Sequence, residues 1–222
     1  MKRTVVAELL DSDAGTQAEV AASLADLRRI NRWFGGASTL CHLLERIAAR
    51  TGRRELTLLD VGAGSGDIAE ASRLHLEQKG IALSAMLLDL SPTHFRNGNS
   101  PKVAANALAL PFRDASFDVA ACSTFAHHLE PEQIVQFANE ALRVARVAFL
   151  INDLQRHPAH LALVYAGFPL FRSRITRHDA PASVRSAYTV AELESLLRQS
   201  IAKRVELSHH YLFRIGAIGW KA

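Results

Sequence analysis

Residues 58–67 read LLDVGAGSGD: an apolar run, three glycines in five positions, then an acid. Glycine weakens the interior of a strand or helix, so three in this place mark a turn that something must approach closely. A strand, a glycine-rich turn and a helix N-terminus, in that order, commit the chain to an α/β arrangement with backbone N–H groups gathered at the turn. The following residues keep this rhythm. Apolar runs at 57–61, 82–89, 102–106, 117–123 and 145–152 alternate with helical stretches, among them 67–79, closed by Gly80, and a helix beginning at Pro131. Runs with so little polar alternation predict strands buried on both faces of a parallel sheet. Two last strands, near 203–208 and 211–218, lie too close together for a helical crossover. They predict an antiparallel hairpin at the sheet edge.

The flanks read differently. Val20, Leu24, Leu27 and Ile30 share one helical face, GG at 35–36 breaks the pattern, and a second helix follows with Ser38 as its N-cap. Residues 155–188 interrupt the strand–helix rhythm and read as an insertion carrying a short apolar helix, 161–171. Thr189 and Glu192 then form a capping-box pattern ahead of Leu193, Leu196 and Leu197. The expected organisation is one domain: a helical cap over 1–55, a core over 56–154, an inserted lid over 155–188, and a closing helix and hairpin over 189–222.

Composition narrows the class. With 222 residues, 49% hydrophobic, the chain can bury a substantial core. Its net charge of +4 is spread in mixed sign, without a Lys/Arg run longer than two, and there is no aromatic-interleaved basic patch. Nucleic acid is therefore not the expected partner. The apolar stretch 161–171 is shorter than the ~20 residues a membrane span needs, and MKRTVVAELLDSD lacks the apolar stretch of a secretion signal. A cytoplasmic protein without integral membrane association is expected. Cys41 and Cys122 fall in a helix and at a strand end and read as small core residues.

The glycine spacing narrows the ligand. A dinucleotide loop has glycines at relative positions 1, 3 and 6. Here they stand at 1, 3 and 5, as Gly62, Gly64 and Gly66, and the sixth position is Asp67. A pyrophosphate would face that carboxylate at close range, whereas a cationic ligand would be attracted by it and by Asp60 at the end of the first strand. Asp89 ends the second strand, placed to accept both hydroxyls of a ribose. An adenosine-containing ligand with a cationic end and no pyrophosphate fits, and S-adenosyl-L-methionine is such a ligand.

At this point the sequence resembles a known family. LLDVGAGSGD, LLDLSP, NALALPFRDASFDVA and HHLEPEQIVQFANEALRVA are similar to the successive motifs of class I S-adenosylmethionine-dependent methyltransferases, over about residues 56–151. The resemblance is strongest to the small-molecule branch of quinone biosynthesis and polyketide tailoring, hence secondary metabolism. It implies a Rossmann-like seven-stranded sheet in the order 3-2-1-4-5-7-6, strand 7 antiparallel, with helices on both faces. It also implies that Gly62, Gly64 and Gly66 line the methionine end and that Asp89 binds the ribose. Leu90 would pack on the adenine, Asn106 and Ala107 would flank it, and Ser123 at the end of strand four would touch the methionine part. Many relatives carry Asp where this chain has Asn106.

Methyl transfer needs an aligned acceptor and a place for its proton. Ligands of such sheets bind beyond the carboxyl ends of the strands, so His127 and His128 after strand four, Asp153 after strand five and His178 in the insertion are the candidates, His128 foremost. Catechol-type relatives hold a divalent metal with an acid after strand four and an Asp-Asn pair after strand five. Here 122–124 has no acid and the pair is reversed, Asn152 then Asp153, so no metal is expected. Methyltransferases acting on base amino groups carry Asn/Asp-Pro-Pro-aromatic where this chain has CSTFAHH. The expected reaction is O-methylation of a phenol or enol on a small apolar molecule, with C-methylation of a quinol ring, or a noncatalytic cofactor-binding module, as alternatives. Oligomeric state is left open.

Overall fold

A computed structural model describes residues 1–12, 14–95 and 100–222. Its seven strands are β1 (Glu55–Val61), β2 (Ala82–Asp89), β3 (Lys102–Ala104), β4 (Phe117–Ser123), β5 (Ala145–Leu154), β6 (Arg204–His210) and β7 (Arg214–Trp220). They form one sheet in the order β3-β2-β1-β4-β5-β7-β6. The first five pair in parallel, and β7 runs antiparallel to both β5 and β6.

The apolar runs explain themselves in this arrangement. On β1, Leu59 and Val61 belong to one core layer while Leu56 and Leu58 belong to the other. Ala120 and Cys122 of β4 divide from Val119 and Ala121 in the same way. Alternate residues of one strand thus serve two layers, so both faces must be apolar and the period-2 signal disappears. One layer is closed by Ile134, Phe137, Ala141 and Leu142 of α4 (Pro131–Val144) and by Leu193 and Leu197 of α7 (Val190–Leu197). The other is closed by Leu40, Leu43, Leu44 and Ile47 of α2 (Gly36–Thr51) and by Ile68 and Leu76 of α3 (Asp67–Glu77). Cys41 and Cys122 are buried and unpaired.

Three local expectations need correction. The second helix begins at Gly36 with Gly35 as its cap, two residues before Ser38. A Cβ on Gly36 would stand 2.8 Å from Asn31 Oδ1, so the corner between α1 (Gln17–Trp33) and α2 closes too tightly for any other residue. The third strand stops at Ala104, because Asn106 Oδ1 accepts the Leu108 N–H at 2.9 Å and turns the chain. Residues 155–188 hold two helices, α5 (Pro158–Ala166) and α6 (Arg174–Ser186), and the second docks on α1. There Asp26 accepts the backbone N–H groups of Arg172 and Ser173 at 2.8 and 2.9 Å, and Ser23 bonds Thr176. No described helix is long and apolar enough to cross a membrane.

Candidate functional site

A cavity of about 580 Å³ opens beyond the carboxyl ends of β1, β2 and β4. Its floor is the glycine loop, and the three glycines are there for different reasons. A Cβ on Gly62 would meet Phe125 at 2.6 Å, and one on Gly66 would meet Leu87 Cδ1 at 2.6 Å. These two are glycine because the protein itself packs on them. Around Gly64 nothing stands within 4 Å of a Cβ, and its φ is +51°. This face is bare and opens on the cavity, in a backbone conformation that glycine adopts without strain. Gly66 accordingly is not part of the cavity lining, whereas Gly62 and Gly64 are.

Carboxylates ring this floor. Asp89 Oδ2 accepts the Gly64 N–H at 2.8 Å and Oδ1 accepts that of Ser91 at 3.0 Å, which fixes the group at the cavity edge. Asp67 is held by Ser65 Oγ at 2.6 Å and Asn31 Nδ2 at 3.2 Å. Asp60 is buried, and its Oδ1 has no hydrogen-bond partner. Burial raises its carboxyl to a pKa of about 7, and the nearby charges of Asp67 and Asp89 push the same way. An unpartnered buried oxygen inside a group of three acids fits a cation, and disfavours a phosphate. Along the rim, Leu90 lines the cavity with 77% of its surface exposed. Asn106, the buried Ala107 and Ser123 are also in the lining, with Ser123 Oγ accepting from Asn152 Nδ2 at 3.1 Å.

The opposite wall begins with strain. Thr124, a β-branched residue, has φ +53°, a conformation that costs about 1–3 kcal/mol and persists only where its surroundings impose it. Here they do. Asn152 O accepts the Thr124 N–H at 2.8 Å, and the fully buried Arg214 donates to Thr124 Oγ1 at 3.0 Å. Burial lowers that guanidinium to a pKa of about 10, so it stays charged at neutral pH. The kink turns Phe125, His127 and His128 into the cavity wall.

His127 is buried. Its Nδ1 lies 2.8 Å from Asp153 Oδ1, its backbone N–H donates to Asp153 Oδ2 at 2.8 Å, and its Nε2 lies 3.4 Å from Glu8 Oε1. Burial lowers its pKa, but Asp153 and Glu8 on its two sides outweigh this and raise it to about 10. Burial likewise raises the Glu8 carboxyl, and His127 and His128 bring it below its ordinary value. His128 is more open. Its Nδ1 lies 2.9 Å from Asp11 Oδ2, its Nε2 3.9 Å from Glu8 Oε2, and its ring stacks beside Phe125.

The structure therefore brings together His127, His128 and, behind His127, Asp153. Asp153 does not line the cavity. His178 does not line it either: its Nδ1 pairs with Asp179 Oδ1 at 2.8 Å. Nor do residues 161–171, whose Leu163, Tyr165 and Leu170 are exposed. Sequence reasoning missed Glu8, Asp11 and Ser183. Glu8 and Asp11 reach the site because Asp179 of α6, the helix that also carries Ser183, accepts the N–H groups of Leu9 and Leu10 at 2.8 and 3.0 Å, tying the segment before α1 across the cavity. The only trace in the sequence is ELLD at 8–11, acids spaced by apolar residues ahead of a helix.

Comparisons with known proteins agree with this geometry. The family model described as a methyltransferase domain matches residues 59–148. An uncharacterized methyltransferase of Mycolicibacterium gilvum is 37% identical over 106 residues, 46% of this chain and 40% of that protein. The chain thus aligns with less than half the length of this relative. Among solved structures, the plantazolicin methyltransferase with bound S-adenosylhomocysteine superposes with a TM-score of 0.63 at 12% identity, covering 96% of this chain and 88% of that one. The magnesium protoporphyrin IX methyltransferase of Synechocystis, also with bound S-adenosylhomocysteine, gives 0.54 at 15% identity, covering 85% and 84%. At these identities the two structures establish the fold. Sequence match and strand order converge: residues 59–148 match the model of a methyltransferase domain, and the chain has the Rossmann-like fold of solved S-adenosylmethionine-dependent methyltransferases, with the acid-ringed glycine loop at the carboxyl ends of its strands.

Proposed function

We propose that this chain transfers a methyl group from S-adenosylmethionine to an oxygen of a small, largely apolar molecule. The observation that carries the reading is the placement of two imidazoles, each braced at Nδ1 by a carboxylate, on the wall of the same cavity as the glycine loop. When bound, the cofactor supplies an electrophilic methyl group and its own leaving group. The chain contributes the rest. Asp89, Leu90, Asn106 and Ala107 position the adenosine, and Asp60, Gly62, Gly64 and Ser123 the methionine part. Leu10, Leu24, Leu27 and Leu129 give the acceptor an apolar bed. His128 takes the acceptor's proton. His127, charged between two acids, is no base and serves to hold Glu8 in place.

The test is release of S-adenosylhomocysteine with a panel of phenols and enols. His128→Ala should lower kcat by about 10²–10⁴-fold, the usual contribution of a general base, while the cofactor Kd stays within a few-fold. Turnover unaffected by the substitution would remove His128 from the chemistry. Cofactor binding without turnover across acceptors of every class would make the chain a binding module.

A further inference from the structure

The wall opposite the glycine loop has more order than one general base requires. Glu8, His127 and His128 each offer a ligand atom, and these atoms lie within 4.8 Å of one another. Glu8 Oε1 is 3.4 Å from His127 Nε2, and Oε2 is 3.9 Å from His128 Nε2. A tetrahedral ion with bonds of about 2.0–2.2 Å sets its ligand atoms roughly 3.4 Å apart. The spacing is that of ligands around a common centre.

The surrounding bonds point the same way. A metal-bound histidine usually donates its other ring N–H to a carboxylate or carbonyl, which fixes tautomer and ring direction. Both imidazoles do this here: His127 through Asp153 Oδ1 at 2.8 Å and His128 through Asp11 Oδ2 at 2.9 Å. Both therefore turn Nε2 toward the same carboxylate. Glu8 is braced too, accepting from Ser183 Oγ at 2.6 Å. Three ligands come from two distant parts of the chain, and each has its own support. Charge agrees as well. Glu8, Asp11 and Asp153 place three negative charges around the two imidazoles, and a divalent cation that displaces the proton His127 carries in the metal-free protein offsets more of them than that proton does.

We propose that Glu8, His127 Nε2 and His128 Nε2 form a binding site for a divalent transition-metal cation, Zn²⁺ or an ion of similar preference, with an open position facing the cavity. Two nitrogens and one carboxylate oxygen suit such an ion better than Mg²⁺ or Ca²⁺, which take mainly oxygen ligands. The site differs from the one the catechol-type comparison considered, which would have used residues 122–124 and 152–153. Its existence is independent of the proposed reaction; its purpose rests on that reading. An acceptor hydroxyl on the open position loses its proton to water more readily, leaving an oxygen electron pair free to take the methyl group as the carbon–sulfur bond breaks. In the metal-loaded protein, coordination thus replaces His128 as the means of ionising the acceptor.

The experiment is a titration of chelator-treated, tag-free protein with Zn²⁺ against a chromophoric competitor, and with Co²⁺ followed by its visible absorption. One ion per chain is expected, with the intense bands of a four- or five-coordinate cobalt site. Glu8→Gln and His128→Ala should each weaken binding by at least about 100-fold, and Asp11→Asn by about 10–100-fold, the range for an outer carboxylate. His75→Ala, on α3 far from the cavity, should change nothing. Circular dichroism confirms that each variant is folded, and S-adenosylmethionine binding is measured on the same samples. If folded wild type binds no more Zn²⁺ than the Glu8→Gln/His128→Ala double variant, the site is refuted, while the proposed methyl transfer stands or falls on its own turnover assay. Stoichiometric metal binding with no turnover on any acceptor would instead refute the reaction and leave the site.

Discussion

At the residue scale, the loop assigns separate tasks to residues of one type. Gly66→Ala drives a Cβ into Leu87 and forces a positive φ on alanine. It should lower stability by about 2–4 kcal/mol, combining overpacking and backbone strain, visible as a clear fall in Tm. Gly64→Ala has open space and should cost about 1 kcal/mol of stability from backbone strain alone, while weakening the cofactor more than Gly66→Ala does. Equal effects of the two on both readouts would contradict the division of tasks. Asp60 makes a pH prediction. Its folded pKa of about 7 is raised from the ordinary 3.8, so the folded state holds the extra proton between these values. Its contribution is complete below pH 4 and is lost as pH rises to 7, a span worth about 4 kcal/mol from roughly three pKa units. In cofactor-free protein, Asp60→Asn should remove that decline from a series of denaturant titrations between pH 4 and 8. A decline that persists in the variant would mean that Asp60 is ionised throughout.

At the element scale, the segment before α1 and helix α6 act together. Asp179 holds the backbone at Leu9 and Leu10, Ser186 Oγ donates to Thr4 O at 3.3 Å, and Thr4 N–H donates to Arg185 O at 3.1 Å. Asp179→Ala should therefore loosen the part of the chain that brings Glu8 and Asp11 to the cavity. Hydrogen exchange at Leu9 and Leu10 should accelerate strongly and turnover should fall at least tenfold, with the sheet amides still protected. Unchanged exchange at those two amides would show that the segment is held by something else. This pairing also marks where reading the sequence ran out. His178 stood out in the insertion, but the side chain that ties the segment down is its neighbour Asp179, through a contact about 170 residues away along the chain. Strands and helices of the core were legible because burial on two faces leaves long apolar runs. The insertion was not, because the apolar side chains of α5 point outward and mimic a core helix.

At the scale of the whole molecule, the sheet order came from the family resemblance, and the proposed cofactor end of the cavity was read from local patterns. Glycine spacing, Asp67 and Asp89 all lie within one strand–turn–helix–strand unit, where sequence neighbours are also spatial neighbours. The proposed acceptor end draws on the segment before α1, the kink after β4, the end of β5 and α6, brought together only by the finished fold. His127 shows the difference: its position was legible, but its charge depends on Glu8 and Asp153, neither of which is near it in sequence. The account rests on the acid-ringed glycine loop taking S-adenosylmethionine. Isothermal titration of the wild-type chain and of Asp89→Ala with S-adenosylmethionine and with NAD tests this most directly. The account predicts one S-adenosylmethionine per chain and no appreciable NAD binding. It predicts a Kd raised about 30–150-fold in Asp89→Ala, from the roughly 2–3 kcal/mol of charge-assisted hydrogen bonds to a ribose. Tighter binding of NAD than of S-adenosylmethionine, or an unchanged Kd in the variant, would contradict it.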